Sequence, residues 1–426
     1  MIQDLYQLYL RHQSVQTDTR KLKPNDIFFA LSGPNFNGND FALKALDNGA
    51  AYAVIDSDID AFNDRLIRVE NVLETLQLLA KHHREQFNIP FIAITGSNGK
   101  TTTKELVNAV LSSHYKTYTT QGNLNNHIGI PLTILQVKAD AEVAVIEMGA
   151  NHQKEIESYC KYVKPTHGII TNCGKAHLEG FGGLKGVRKG KGELFDYLSI
   201  QKGEAFIFND YDYLKEMSSQ ISKVITYGTS NANTIGRVVS TDDYLQVELV
   251  SKDLPVVIKT RLVGDYNLPN VLCAIAVGKY LGVPINKITN AIEGYAPGNS
   301  RSQMIIKNSN HIILDAYNAN PSSMKLAVEN IAKINTENKV LMLGGMMELG
   351  AESISEHQEI IKTINKYTWD KVLLVGGDFQ NTNHSFLYFN NAAEAATWLN
   401  GNPVLDSYVL IKGSRSIQME QLVASL

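Results

Sequence analysis

Short apolar runs closed by a glycine, an asparagine or an acid recur along the chain, and helical periodicity fills the gaps between them. In the first block, DIFFAL (26–31) and AYAVID (51–56) predict strands, and DFALKALDNG between them predicts a helix stopped by glycine. A helix-like stretch, NVLETLQLLAKHHREQF, then leads to Pro90-Phe91. FIAIT, EVAVIE, GIITN and AFIFN follow as continuous apolar runs, the kind a parallel sheet buries on both faces. The pattern changes in NTIGRVVSTDDYLQVELVSKDLPVVIKTRLVG, which alternates and turns at Thr241-Asp242-Asp243. It predicts antiparallel strands at the sheet edge or in an added layer. GDYNLPNVLCAIAVGKYLG resumes helix, with Pro269 in its first turn. A last series, HIILDAY, KVLMLGG, KVLLVGG and SYVLIKG with helical stretches between, is a doubly wound pattern of its own.

The architecture expected is α/β with three domains, at 1–85, 86–298 and 299–426. The central one is a parallel sheet with a phosphate loop for a mononucleotide, and the C-terminal one is Rossmann-like. A length of 426 residues suits that number. Composition adds little: 44% hydrophobic and 19% charged residues with a net charge of −3 describe an ordinary globular protein. No dense basic stripe points to nucleic acid. The cysteines Cys160, Cys173 and Cys273 are scattered without a C-x-x-C pair, which suggests a reducing compartment. MIQDLYQLYLRHQ lacks the pattern of a signal peptide, and no apolar segment approaches the roughly 20 residues of a membrane helix. A cytoplasmic protein is expected.

Ligands of open parallel sheets sit beyond the carboxyl ends of the strands, so the tails of the apolar runs are where chemistry is to be sought. After FIAIT comes Gly96-Ser97-Asn98-Gly99-Lys100-Thr101-Thr102 and then an amphipathic helix with Leu106, Val107, Val110 and Leu111 on one face. Strand, glycine turn, Lys-Thr and helix form the context of a phosphate loop: backbone N–H groups and the helix dipole face the anion. Lys100 would bridge the outer phosphates and Thr101 would meet Mg2+. The glycines are separated by two residues where the usual form has four.

Glu147 closes EVAVIE and is followed by MGAN. It is either a solvated strand-end acid or a Mg2+-holding carboxylate. His177, in GIITNCGKAHLEGFGG, stands beside Glu179 at another strand end and is either structural or a ligand. Lys185, Arg188, Lys189 and Lys191 read from the residues alone as a solvated basic loop leading into a helix. DAYNANPSSM is either a capped turn, with Pro321 at a helix start, or a ribose and base contact. Gly413, Ser414 and Arg415 precede a helix and could hold a carboxylate.

Taken together these strings resemble the Mur ligases, ATP-dependent amide-forming enzymes of peptidoglycan precursor synthesis, over essentially the full length. TGSNGKT is the short loop of that superfamily, shared with folylpolyglutamate synthase. QGNLNNHIGIPLTIL, IEMGAN, AHLEGFGG, KGELF, DAYNANPSSM, GGMMELG and KGSRSIQMEQLV are narrower and resemble the dipeptide-adding branch. TDTRKLKPNDIFFALSG is similar to the family's uridine-nucleotide-binding start, with Thr19 where serine is commoner.

The resemblance implies ATP as nucleotide, bound by Gly96 to Thr102, Asn270, Arg301, Asp315 and Asn318. It implies Mg2+ held by Thr101, Glu147, His177 and a Lys191 carbamylated by CO2, with Lys100, Glu147, His177 and Lys191 as the catalytic group. Thr19, Arg20, Asn125, Asn126, Ser414 and Arg415 would contact the substrates, UDP-N-acetylmuramoyl-tripeptide and D-alanyl-D-alanine. A monomer without nucleic-acid or membrane partners is implied. The alternatives are a Mur ligase adding a single amino acid, folylpolyglutamate synthase, or a nucleotide-gated regulatory ATPase.

Overall fold

A computed structural model of the chain describes residues 1–59, 63–241, 243–250, 256–298 and 300–426. Its first sheet is parallel, in the order β1 (Val15–Gln16), β2 (Ile27–Phe29), β5 (Tyr52–Ile55), β6 (Leu66–Arg68). β3 (Ser32–Gly33) and β4 (Phe36–Asn37) make a separate antiparallel ribbon.

The central sheet contains β7 (Phe91–Thr95), β8 (Thr117–Thr119), β9 (Val143–Glu147), β10 (His167–Ile170) and β11 (Glu204–Phe208). It continues with β12 (Lys223–Gly228), β13 (Thr234–Ser240), β14 (Gln246–Leu249) and β15 (Val256–Lys259). The order is β15-β14-β13-β12-β11-β10-β7-β9-β8. Pairing is parallel from β8 to β13, and β14 runs antiparallel to β13 and β15. The alternating stretch therefore lies at the sheet edge, as its pattern predicts. Asp242, the middle of the expected turn, lies outside the described residues, as do residues 251–255.

The third sheet orders β16 (Gln303–Lys307), β17 (Asn310–Asp315), β21 (Tyr408–Lys412), β18 (Lys339–Gly344), β19 (Lys371–Val375) and β20 (Leu387–Phe389). β16 is antiparallel to β17 and the other pairs are parallel.

Two features of this fold set up the site. First, β7 lies between β9 and β10, so the chain leaves β7 toward one side of the sheet and returns on the other. That reversal opens a crevice at the carboxyl end of β7. Second, the helix Lys100–Ser112 that follows β7 buries Leu106, Val107, Val110 and Leu111 completely and packs against the helix Leu268–Tyr280. Its N-terminus is thereby fixed at the crevice.

The helix Val72–Arg84, capped by Asn71 on the Glu74 N–H at 2.8 Å, joins the first two sheets. It buries Leu76, Leu79 and Ala80 and packs against the helices Gly129–Ile134 and Glu155–Val163 of the central unit. Among the described residues no helix is long and apolar enough to cross a membrane.

Candidate active site

Gly96 and Gly99 have φ of 144° and 78°. A Cβ on Gly96 would lie 2.0 Å from Thr171 Oγ1, and one on Gly99 would lie 2.6 Å from Asn270 Oδ1, so both positions need glycine for backbone and for space. The loop between them is tied to the end of β10. Ser97 N donates to Asn172 O at 2.9 Å and Asn98 N to Asn172 Oδ1 at 3.0 Å. Thr103 N closes on Gly99 O at 2.8 Å, which leaves the N–H groups of Lys100, Thr101 and Thr102 as the open end of the helix. That is an anion site by geometry and dipole. Lys100 Nζ folds back onto Gly96 O at 2.7 Å and Ser97 O at 3.3 Å. Burial lowers its pKa from the ordinary lysine value, the Glu147 charge opposes that shift, and Arg301 adds to it.

The loop faces a cleft of about 1050 Å³. Of the expected residues, Ser97 to Thr102, Asn125, Asn126, Glu147, His177, Asn270, Arg301, Asp315 and Asn318 line it. Gly96, Lys191, Thr19, Arg20, Ser414 and Arg415 do not.

Glu147 is buried at the end of β9. Its Oε1 accepts from Thr101 Oγ1 at 3.1 Å and from Asn125 Nδ2 at 2.7 Å, and its Oε2 is buried without a partner. A carboxylate with one free oxygen beside a threonine hydroxyl and a phosphate loop fits a hard cation such as Mg2+. Among the described residues no three His, Cys, Asp or Glu side chains gather into a metal cage. Mg2+ suits such a site, since it is commonly held by one or two carboxylates together with substrate phosphates. His177, at φ 52°, sets Nδ1 against the carboxylate of Glu348 in the GGMMELG turn, itself at φ 61°. Asn126 Oδ1 accepts from Gly129 N at 2.8 Å, at the start of the helix Gly129–Ile134.

Lys191 departs from the reading of its cluster as a solvated loop. Gly183 is the N-cap of a helix, Leu184–Gln201, whose inner stripe includes Val187, Gly190, Lys191, Leu194 and Leu198. Lys185, Arg188 and Lys189 face outward, while Lys191 is buried with Nζ on Ala150 O at 2.8 Å and 4.8 Å from the centre of the Phe181 ring. Burial, and after it the charge of Lys100, pushes its pKa well below the ordinary value.

The third sheet supplies the other wall. Asp315 Oδ1 accepts from Ser302 N at 3.1 Å, and Oδ2 from the buried Lys412 Nζ at 2.5 Å. The Arg301 guanidinium stacks 3.6 Å from the centre of Tyr317, with Arg415 at 5.1 Å from the same ring. Asn318 Oδ1 accepts from Ala319 N at 2.9 Å. Asn270 spends its amide within the protein, accepting from Thr103 Oγ1 at 3.0 Å and donating to Asn267 Oδ1 at 2.8 Å.

The remaining expected contacts are tied up elsewhere. Arg20 is clamped onto Asp18 by two bonds of 2.9 Å, which hold the Asp18 carboxyl at about 2. Ser414 Oγ accepts from Met347 N at 3.1 Å, and the segment after it forms 3₁₀ turns, Arg415–Ile417 and Met419–Ser425, where an α-helix was expected. Sequence reasoning passed over Asn172, Asn320, Glu348 and Lys412. Of these, Asn172 had a signal, being the polar residue that closes GIITN at a strand end.

Three family models match the chain in series: Mur ligase family, catalytic domain, over residues 12–84; Mur ligase middle domain, over 94–278; and Mur ligase, glutamate ligase domain, over 300–415. The chain is 34% identical over 424 residues to the UDP-N-acetylmuramoyl-tripeptide–D-alanyl-D-alanine ligase of Escherichia coli K12, covering 97% of this chain and 93% of that one. A crystal structure of MurF from Acinetobacter baumannii is similar with a TM-score of 0.88 at 29% identity, covering 99% of this chain and 97% of that one. MurF from Thermotoga maritima in complex with ADP is similar with a TM-score of 0.87 at 25% identity, covering 98% and 97%. The chain belongs to the Mur ligase family.

Proposed function

We propose that this chain joins D-alanyl-D-alanine to UDP-N-acetylmuramoyl-tripeptide, with ATP cleaved to ADP and phosphate, in the cytoplasmic stage of peptidoglycan precursor synthesis. The observation that carries this is one cleft in which a phosphate loop, a buried carboxylate with a free oxygen and the Arg301–Asp315 wall meet. Likeness to the dipeptide-adding ligases along nearly the whole chain supports the choice of substrates.

A peptide carboxylate resists amine attack because it is anionic and has no good leaving group. Phosphoryl transfer from ATP gives an acyl phosphate; the dipeptide amine adds to its carbonyl, and phosphate leaves as the amide forms. Mg2+, when bound, offsets the repulsion between the carboxylate and the γ-phosphate. Thr101, Glu147 and His177 would hold it, together with Lys191 once carbamylated. The buried, pKa-lowered amine of Lys191 favours the neutral form that can attack CO2. Lys100 and the open N–H groups of the helix bind the phosphates and share their charge. Residues 1–85 would carry the uridine nucleotide, 86–298 the ATP, and 299–426 the dipeptide, the last closing the cleft against water.

The test is release of ADP and phosphate with ATP, the tripeptide nucleotide and D-alanyl-D-alanine supplied together. Release stimulated by single amino acids or folates alone, or indifferent to both acceptor and amine, sinks the assignment.

A further inference from the structure

Asn98 lies inside the phosphate loop, and each of its polar groups that forms a hydrogen bond is engaged by another element. Its N–H and carbonyl are bonded to the end of β10, the carbonyl accepting from Thr171 Oγ1 at 2.6 Å and from Asn172 Nδ2 at 3.0 Å. Its side-chain Oδ1 accepts from Asn320 Nδ2 at 2.7 Å. Asn320 belongs to the opposite wall, where it caps the helix Pro321–Lys333: its own Oδ1 accepts from Ser323 N at 3.0 Å. One amide thus does two things, oxygen toward its own helix and nitrogen toward the nucleotide loop. The contact is flanked by Lys175, whose N–H donates to Ser322 Oγ at 2.9 Å and whose Nζ meets Glu356 Oε1 at 2.5 Å.

We propose that Asn320 is a positioning residue that acts through Asn98, so that the shape of the phosphate loop depends on docking of the C-terminal domain. A loop bounded by two positive-φ glycines has little stiffness of its own. Clamped at Asn98 from β10 on one side and from Asn320 on the other, it has its full set of restraints only while the two walls are together. By linkage the reverse also holds, and a nucleotide filling the loop tightens the docking. The inference rests on the loop being the ATP site.

Asn320→Ser keeps a capping oxygen for the helix but lacks the amide that reaches Asn98. Asn98→Ala removes the acceptor. Calorimetric titration of the full chain with AMP-PNP is the primary measurement, with thermal melts of every variant beside it. Asn320→Ser is expected to weaken AMP-PNP binding about fivefold, the worth of one neutral hydrogen bond, although it sits on the other domain. In the Asn98→Ala background it should add nothing, because the bond is already gone. Losses that multiply in the double variant overturn the proposal. So does an Asn320→Ser protein that melts lower yet binds AMP-PNP normally, which marks a helix cap and nothing more. A wild-type chain that binds no AMP-PNP removes the loop's assignment and the latch with it; wild-type binding with independent variants removes the latch alone.

Discussion

Lys191 is a fully buried lysine whose amine nitrogen donates to one carbonyl, and among the described residues no carboxylate forms a salt bridge with it. Its folded pKa lies well below the unfolded value near 10.5. Between those values the unfolded chain binds more protons, so stability rises with pH there, and below them the burial penalty stands in full. Lys191→Met removes the penalty. In CO2-free buffer it should raise Tm by a few degrees at pH 7, with the gain shrinking toward pH 10.5. Ligation should fall about a hundredfold or more and be partly restored by acetate. Calorimetry at the two pH values and ADP release measure both effects; a pH-independent Tm difference refutes the burial penalty, and near-normal ligation removes Lys191 from the site. Gly99→Ala tests the loop in the same way. Its φ of 78° and the Asn270 amide 2.6 Å from the added carbon predict a loss of about 1–2 kcal/mol in urea unfolding and a raised KM for ATP.

At the scale of elements, Arg84 ends one helix and closes another. Nε donates to Val163 O and Nη2 to Lys164 O, both at 2.9 Å, satisfying carbonyls at the end of the helix Glu155–Val163. The guanidinium also lies 3.8 Å from the centre of Phe91, and burial lowers its pKa to about 10. Arg84→Met keeps the stem and should cost about 2–3 kcal/mol by leaving those carbonyls unpaired; a urea midpoint equal to wild type refutes that. The buried strands were legible because β7, β9, β10, β17, β18, β19 and β21 are each built around a short run of apolar residues. The strands β1, β6, β8 and β20 are two or three residues long, too short for a period to show. The helix holding Lys191 was hidden by its glycines. Gly186 and Gly190 are there because Phe181 approaches so closely that an added Cβ would meet Phe181 O at 1.8 Å and its ring at 2.5 Å. Strand ends gave away the loop, Glu147 and His177. The cap at Asn320 was one of the two readings of DAYNANPSSM, but its bond to Asn98 was not legible, nor were Glu348 and Lys412, since those partners lie on distant segments and no local pattern encodes such a meeting.

On the scale of the molecule, the two interfaces of the central unit differ in kind. Toward the first sheet, the helix Val72–Arg84 is packed through fully buried Leu76, Leu79 and Ala80 and anchored by Arg84. Toward the third sheet, the described contacts run largely through loops and polar groups. They include Asn98–Asn320, Lys175–Glu356, Lys333–Asp265 at 2.8 Å and Tyr266–Ser302 at 3.1 Å, with the turn Leu178–Phe181 against Gly350–Glu352. An apolar helix seam resists opening, whereas a polar interface between domains permits it. Motion is therefore expected at the C-terminal side, with the first two units moving together. Small-angle scattering should show the radius of gyration falling when AMP-PNP and the tripeptide nucleotide are added. The exposed Lys333–Asp265 pair is screened by salt, so 0.5 M NaCl should oppose that change. Amide hydrogen exchange localises the motion: protection gained on ligand binding should appear at 300–333 and in the loop after β7, with the helix Val72–Arg84 protected throughout. An unchanged radius of gyration in all three conditions, or new protection concentrated in the helix Val72–Arg84, contradicts this division of rigid and moving parts.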